Sequence, residues 1–360
     1  MLLTGIAIVL FSILFMLLSQ KSDEASAKLT LGLEQKEKVP LSPEELRISL
    51  DEYISSLDTI GPISSLLITQ HRNLVAEQYY GSMNPDRGSN IKSASKSILS
   101  ILTGIAIDRG YLEGVDQQIG EFFPEYFDLN PDSVKAAITI EDLLTMRSGL
   151  ASTSRSNYGR WVTSSNWVRF KLDRPLRGTP GTDRIYSTGN THLLGVILAK
   201  ASGMNTLQFA NKYLFRPMDI SVTGWDRDPQ GFYLGGNNMA IRPRDMVKIG
   251  QLMMDVGKYK GEQLVPADWV IKSVIPVTGR ISGVQNYGYL WFRRMADKYH
   301  MVYAYGNGGQ YILILPELEA VITVTTRTGT GEPTRNYRRQ LFTILDKDIV
   351  PLLEAGYTGI

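Results

Sequence analysis

The order of apolar patterns along the chain predicts an α+β fold, in which a β-sheet layer built from both ends of the sequence carries a helical insertion. Two apolar, partly alternating runs within residues 63–81 predict a hairpin near the amino-terminal end. Further β runs return only late, in "YGYLWFRR" and "MVYAYGNGGQYILILPELEAVITVTT". Between about 115 and 235 the signals are helical or loop-like. Strands at both ends therefore imply a sheet assembled from distant segments.

Composition excludes several classes of function. The chain has 360 residues, is 43% hydrophobic and 21% charged, and carries a net charge of +2, which is typical of a globular protein. Its lysines and arginines form no basic stripe, so no nucleic acid is expected as a partner. With no cysteine and three histidines, a thiol nucleophile is impossible and a zinc site built on Cys or His clusters is nearly excluded. We expect neither a metal nor a cofactor.

The amino-terminal segment predicts export. Residues 1–20 contain no charged side chain and are long enough to span a bilayer as one helix, and a small-x-small sequence at 25–27 could be a cleavage site. A cleaved signal and a retained membrane anchor both remain open. The protein is expected to be periplasmic, exported, or anchored facing the extracytoplasmic side. Residues 21–41 mix charges with small residues and are predicted to be a linker.

Capping signals place the helices. Ser42, followed by Pro43 and two glutamates, predicts a helix to about Leu57. From Ser93 onward apolar residues recur at helical spacing, with Gly110 as a C-terminal cap. Later helices are predicted in "TIEDLLTM", which carries a capping box, and in "THLLGVILAKASG", "NTLQFANKYLF", "PRDMVKIGQLMMDVG" and "PADWVIKSVI". Residues 42–98 and 236–350 are assigned to the sheet domain and 99–235 to the helical domain.

Ser93 and Lys96 form the first candidate site. Residues three apart on a helix share a face, so the serine hydroxyl and the lysine amine could meet. A lysine whose pKa is lowered by burial can take the proton of a serine nucleophile. The motif alone is weak, because Ser89 and Lys92 repeat it in the preceding turn. The structural alternative is a helix-capping serine beside a solvated lysine.

Two further stretches strengthen the chemical interpretation. Tyr186 lies just before a predicted helix, and a tyrosine near a lysine can act as general base through a lowered phenol pKa, then return the proton to a leaving group. Gly308 and Gly309 open an apolar β run, where a substrate could lie against the strand and a backbone N–H could face a carbonyl oxygen. An ordinary half-buried tyrosine and a hairpin turn are the alternatives. His192 is expected to pack on its helix.

Taken in order, Ser93-x-x-Lys96, Tyr186-Ser187-Thr188 and Asn307-Gly308-Gly309-Gln310 resemble the three motifs of the serine β-lactamase and penicillin-binding-protein superfamily. The resemblance extends over about residues 45–345. It is greatest to the class C branch that includes esterases and aminohexanoate-dimer hydrolases.

The resemblance implies a β-lactamase/transpeptidase-like fold, with an antiparallel sheet flanked by helices beside an all-helical domain and the site between them. By motif position Ser93 would be the acylated nucleophile, Lys96 its activator and Tyr186 the acid/base. The backbone N–H groups of Ser93 and Gln310 would form the oxyanion hole. Whether Lys96 or Tyr186 is the main base stays open.

Two departures from the family motifs bear on the substrate, which would contact Thr188, Asn307 and Gly309. Thr188 replaces an asparagine that holds the substrate amide, and Asn307 replaces a lysine that attracts a carboxylate. The sequence therefore predicts a serine hydrolase that cleaves esters or amides of small molecules. A β-lactamase or D-alanyl-D-alanine carboxypeptidase is one alternative. A catalytically silent, membrane-anchored binding or sensor domain is another.

Overall fold

The computed structural model describes residues 41–59, 61–281, 285–327 and 335–356. The predicted signal or anchor at 1–20 lies outside the described residues, as does nearly all of the predicted linker. Within the described ranges, no helix combines the length and the apolarity that a bilayer crossing requires.

One antiparallel sheet dominates the fold. The described residues form thirteen strands: β1 (Ile63–Gln70), β2 (Asn73–Tyr79), β3 (Ser89–Asn90), β4 (Val222–Trp225), β5 (Met239–Ile241), β6 (Lys258–Tyr259), β7 (Glu262–Gln263), β8 (Thr278–Ile281), β9 (Gln285–Tyr287), β10 (Phe292–Ala296), β11 (Tyr299–Gly306), β12 (Gln310–Leu315) and β13 (Ala320–Thr326). Eight of them pair in the order β2-β1-β13-β12-β11-β10-β9-β8. Every pair in this sheet is antiparallel, and β1 pairs with β13, for example Leu66 with Val324. The predicted sheet from distant segments is confirmed.

The expectation that strands return only late in the sequence is wrong. A second sheet of order β3-β5-β4 includes strands at 222–225 and 239–241, inside or beside the predicted helical region. These strands are two to four residues long. A run that short has no alternation to detect, so the sequence pattern missed it.

The helices lie on both faces of the main sheet and in the central insertion. They are α1 (Pro43–Ser55), α2 (Ser95–Asp108), α3 (Pro124–Phe127), α4 (Ser133–Ala136), α5 (Ile140–Leu144), α6 (Tyr158–Val162), α7 (Trp167–Leu172), α8 (Thr188–Ser202), α9 (Thr206–Ala210), α10 (Pro243–Met254), α11 (Ala267–Val274), α12 (Arg335–Ile344) and α13 (Val350–Ala355). The capping box predicted at Thr139 forms. Ser42, predicted to begin a helix, caps α1 and also makes a capping box with Glu45. Gly110 follows α2 with φ +71°, a conformation suited to a C-terminal cap.

Two hydrophobic cores sandwich the sheet. Along β12, Tyr311 and Leu313 contribute to the core that contains α1, α12 and α13, whereas Ile312 and Ile314 contribute to the core shared with α2, α8 and α10. This alternation follows from the two-residue period of a strand. The sheet is therefore a rigid middle layer, and α2 is anchored on it with almost every residue buried. The predicted domain boundaries at 98/99 and 235/236 stay a prediction.

Gly104 marks the crossing of α2 and α11. A Cβ atom at Gly104 would overlap the indole ring of Trp269. The indole has little freedom to move, because its Nε1 donates to the backbone oxygen of Ser100 at 3.1 Å. The two helices can approach this closely only because position 104 lacks a side chain.

We expect Gly104→Ala to lower the free energy of unfolding by about 1–3 kcal/mol, as overpacking does in other cores, although alanine is the better helix former. The control is Gly159→Ala on α6, where a Cβ meets open space. That change should be neutral or stabilise by up to about 1 kcal/mol. Chemical denaturation measures both. A Gly104→Ala protein as stable as the wild type would contradict the close-packing argument.

Candidate active site

Ser93 lies in a tight turn immediately before α2. The 3-10 turn Lys92–Ala94 precedes the helix, which begins at Ser95 rather than at Ser93 as the sequence suggested. Lys92 adopts φ +51°, and its N–H is held by Asn90 Oδ1 at 3.0 Å. The alternative of a capping serine does not hold, because Ala94 is the cap residue and no side chain caps this helix. The turn leaves the Ser93 hydroxyl half-buried at the edge of a cleft.

Lys96 is buried beside this serine. Its side chain is on the first turn of α2, and the residue is only 3% exposed. The Nζ atom donates to Ser93 Oγ at 3.1 Å, to Thr188 Oγ1 at 3.2 Å and to the backbone oxygen of Gly236. None of these acceptors is a carboxylate, so the hydrogen bonds offset only part of the cost of burying the charge. Burial lowers the Lys96 pKa to about 7. A large fraction of this amine is therefore neutral at neutral pH and can accept a proton.

Tyr186 reaches the same serine from the other side. Its Oη donates to Ser93 Oγ at 2.9 Å, and Lys96 Nζ lies 5.4 Å from the ring centroid. Burial raises the Tyr186 pKa, and the hydrogen bond to Ser93 and the charge of Arg184 only partly oppose this effect. The expectation of a lowered phenol pKa is therefore wrong. At neutral pH the phenol keeps its proton and is suited to donating it, while Lys96 is suited to accepting one.

Thr188 contacts Lys96, although the sequence predicted it as a substrate-binding residue. Its Oγ1 accepts from the amine and lies 3.0 Å from Ser154 Oγ. The Thr188 N–H donates to that same oxygen at 2.8 Å, so Ser154 fixes the first residue of α8. Thr188 also borders the cleft, but it is only 3% exposed. A contact between Thr188 and a substrate stays a prediction.

The glycine pair forms the turn between β11 and β12. Gly308 and Gly309 have φ +91° and +105°, which side chains rarely adopt. The side chain of Gln310 is buried, with its Nε2 2.7 Å from Thr326 Oγ1, so only its backbone N–H could serve an oxyanion. Asn307 borders the cleft, whereas Gly309 and Gln310 are not among its bordering residues. The roles predicted for Asn307, Gly309 and Gln310 stay predictions.

The cleft in front of Ser93 has a volume of about 770 Å³. Its wall combines hydroxyl groups, amides, aromatic rings and cations: Lys92, Ser93, Ser154, Arg155, Tyr158, Arg184, Tyr186, Thr188, Asn237, Asn238, Phe292, Tyr305, Asn307 and Arg338. Most were missed because they come from distant loops and strands with no shared local pattern. Three could have been found by proximity to a motif: Lys92 directly precedes Ser93, Arg184 lies two residues before Tyr186, and Tyr305 lies two residues before Asn307.

The site contains no recognisable metal centre within the described residues, where no group of three or more His, Asp or Glu is placed to hold an ion. The chemistry available is that of a hydroxyl between a proton acceptor and a proton donor. Such an arrangement can form and break an acyl ester on the serine.

Comparisons with known proteins agree with this geometry. Residues 62–344 match the family model described as beta-lactamase. A curated relative, the 6-aminohexanoate-dimer hydrolase of Paenarthrobacter ureafaciens, is 25% identical over 251 residues, which cover 64% of this chain and 63% of the relative. The matched segment thus spans less than two thirds of that relative's length.

Two solved structures share the fold. One is EstCE1, a hydrolase with promiscuous acyltransferase activity, with a TM-score of 0.69 and 16% identity over 88% of this chain and 98% of that one. The other is a class C beta-lactamase mutant, with a TM-score of 0.64 and 16% identity over 85% of this chain and 97% of that one. The fold implied by the sequence motifs is confirmed.

We expect Thr188→Val to lower the pKa of Lys96 further, because the ammonium form loses a hydrogen-bond acceptor. Carbon-13 NMR of labelled lysine side chains would follow this titration, with Lys96→Met identifying the resonance. The wild type should titrate at about 7, and Thr188→Ser, which keeps the hydroxyl, should stay close to it. A Lys96 resonance that titrates in the range of exposed lysines, about 10 to 11, would contradict the burial argument.

Proposed function

Because the chain belongs to the beta-lactamase family, we propose that it is a serine hydrolase that cleaves an ester or amide through an acyl-enzyme on Ser93. The observation that carries this proposal is the position of the Ser93 hydroxyl, which contacts one group suited to accept a proton and one suited to donate a proton. Lys96 Nζ lies 3.1 Å from Oγ, and Tyr186 Oη lies 2.9 Å from it. One group is buried with a lowered pKa and the other with a raised pKa.

The proposed reaction follows from these protonation states. Neutral Lys96 takes the Ser93 proton as Oγ bonds to the substrate carbonyl carbon. The Tyr186 phenol gives its proton to the oxygen or nitrogen that leaves, so the bond to the alcohol or amine breaks with a neutral product. Water then attacks the acyl-serine carbonyl carbon while the Tyr186 phenolate takes the water proton. The bond to Ser93 Oγ breaks, Lys96 returns its proton to that oxygen, and the acid is released with both groups in their starting states. We assign Lys96 as the main base, since a phenol with a raised pKa is a poor proton acceptor at neutral pH.

The free-energy cost of burying the Lys96 amine argues against the alternative of a catalytically silent domain. A buried lysine without a carboxylate partner lowers stability, and here the buried amine lies 3.1 Å from the Ser93 hydroxyl, where it can accept the serine proton. The expected export stays a proposal supported by the uncharged residues 1–20.

We expect folded wild-type protein to form a single covalent adduct at Ser93 with a fluorophosphonate and to turn over a p-nitrophenyl ester. Below pH about 7, kcat/KM should fall about tenfold per pH unit, because protonated Lys96 cannot accept the serine proton. Ser93→Ala should abolish the adduct and reduce kcat at least about a thousandfold. Intact-protein mass spectrometry and a pH–rate profile measure these outcomes.

The matched control is Ser89→Ala, which removes the serine of the second Ser-x-x-Lys sequence and should leave the Ser93 adduct intact. Absence of any adduct in folded wild-type protein would refute the hydrolase proposal and favour a silent binding domain.

A second proposal concerns the charge of the substrate. Among the described residues, four cations border the cleft, and none of the bordering residues is an aspartate or glutamate. The guanidinium carbon of Arg184 lies 4.0 Å from the centroid of the Tyr287 ring, and its Nε is buried without a hydrogen-bond partner within the described residues. The replacement of a lysine by Asn307 argued against carboxylate substrates, but these cations supply positive charge from other positions. We propose that the substrate carries an anionic group. The similar 6-aminohexanoate-dimer hydrolase is named for an amino-acid dimer, which ends in a carboxylate.

We expect the mono-p-nitrophenyl ester of adipate to be preferred over p-nitrophenyl hexanoate by about tenfold in kcat/KM at low salt, with the preference falling as salt screens the cations. Arg184→Met should remove most of this preference. Arg216→Met, which deletes an exposed charge outside the cleft, should retain it. A preference for the neutral ester in the wild type would contradict the charge argument while leaving the hydrolase proposal untouched.

A further inference from the structure

A buried His–Asp pair lies beside the loop whose Gly236 carbonyl oxygen contacts Lys96. His192 is on α8, one turn after Thr188, and is 0% exposed. Its Nε2 lies 3.0 Å from Asp228 Oδ2, and both side chains are fully buried. The rings of Trp161 and Trp167 pack edge-on against the imidazole, with centroid separations of 5.7 and 5.6 Å. In the part of the chain that the structure describes, Asp228 is the charged group in contact with His192.

The hydrogen bonds fix the tautomer of His192. The N–H of Gly235 donates to Nδ1 at 3.3 Å, so Nδ1 must be unprotonated. The ring proton is then on Nε2, where it is donated to Asp228. The other oxygen of Asp228 accepts the N–H groups of Gln230 and Phe232, each at 2.9 Å. One carboxylate therefore organises the loop 226–236 and holds the imidazole in the form that binds Gly235.

This loop delivers the third acceptor of the catalytic lysine. The residue after Gly235 is Gly236, whose carbonyl oxygen accepts from Lys96 Nζ. Gly236 has φ +78°, and a Cβ there would overlap the Lys96 side chain and Thr191. Thr191 Oγ1 also lies 3.0 Å from the Gly235 oxygen. The backbone of residues 235 and 236 is thus packed between α8 and Lys96, and His192 accepts a hydrogen bond from the Gly235 N–H.

We infer that His192 and Asp228 are positioning residues that hold the Gly236 carbonyl on Lys96 and thereby set the geometry and proton affinity of the amine. The chain of contacts runs from Asp228 to His192, to the Gly235 N–H, and through the Gly236 peptide to Lys96. The inference rests on the proposed function only for its rate measurements. The titration of Lys96 can be followed without a substrate.

Asp228→Asn tests this chain with almost no change of shape. An asparagine that keeps its oxygen on the two loop N–H groups presents its NH₂ to His192 Nε2, which must then become an acceptor. The ring proton moves to Nδ1 and faces the Gly235 N–H, so two donors oppose each other and the loop contact breaks. Nitrogen-15 NMR of the imidazole would report the tautomer, and assignment is simple because the chain has three histidines.

In Asp228→Asn we expect inversion of the His192 tautomer, a lower pKa for Lys96 by carbon-13 NMR, and a matching shift of the acidic limb of kcat/KM to lower pH. The pKa falls because the ammonium form loses the Gly236 acceptor. The rate above that limb should drop about 10–100-fold through kcat, with KM little changed. Asp219→Asn, which neutralises a carboxylate with a 91% exposed side chain, should match the wild type in every readout.

His192→Asn is the second variant, since its amide oxygen can take the place of Nδ1 and keep the Gly235 contact while abandoning Asp228. It should retain a Lys96 pKa nearer the wild type than Asp228→Asn does. An Asp228→Asn protein whose Lys96 titrates as in the wild type, whether or not its melting temperature falls, would overturn the inference and leave the pair a structural element. Failure of wild-type turnover with an unchanged Lys96 titration would instead point to the proposed function as the error.

Discussion

The burial of the Lys96 amine without a carboxylate partner is the constraint on which the rest of the site depends. An isolated ammonium in such a position is costly, and its pKa falls until the neutral form is accessible. Three neutral oxygens, from Ser93, Thr188 and Gly236, replace the water that the amine loses. They orient the amine without restoring its charge. The amine can therefore be neutral, which is the state that a proton acceptor needs.

Each of these oxygens belongs to a different part of the fold. Ser93 comes from the turn before α2, Thr188 from the first turn of α8, and Gly236 from a loop that a buried histidine holds in place. α2 is buried between the sheet and the helical insertion, so residues from both parts contact its first turn. The sheet supports α2 from behind, and the insertion contributes Thr188 and the phenol of Tyr186.

Local patterns in the sequence predicted the parts of this site that are local. Ser93 and Lys96 are three residues apart, and the glycine turn before β12 is contiguous, so both could be found by inspection. The sequence could not show that Ser93 precedes the α-helix, because the positive φ of Lys92 that creates the turn has no compositional signal. The pairing of His192 with Asp228 spans 36 residues, and the cleft arginines come from separate elements. Contacts of that kind depend on packing across the whole chain, as do the short strands β4 and β5.

The pairing of β1 with β13 has a consequence for how the molecule is made. The hairpin of β1 and β2 is synthesised about 240 residues before β13, its neighbour in the sheet, which begins at residue 320. Until then one edge of β1 has no partner strand, and residues that are all buried in the folded protein remain exposed. Such distant pairing slows folding and lengthens the exposure of an aggregation-prone strand. The nascent chain should therefore stay prone to aggregation until β13 has been made, and hydrolytic activity should appear only after that point.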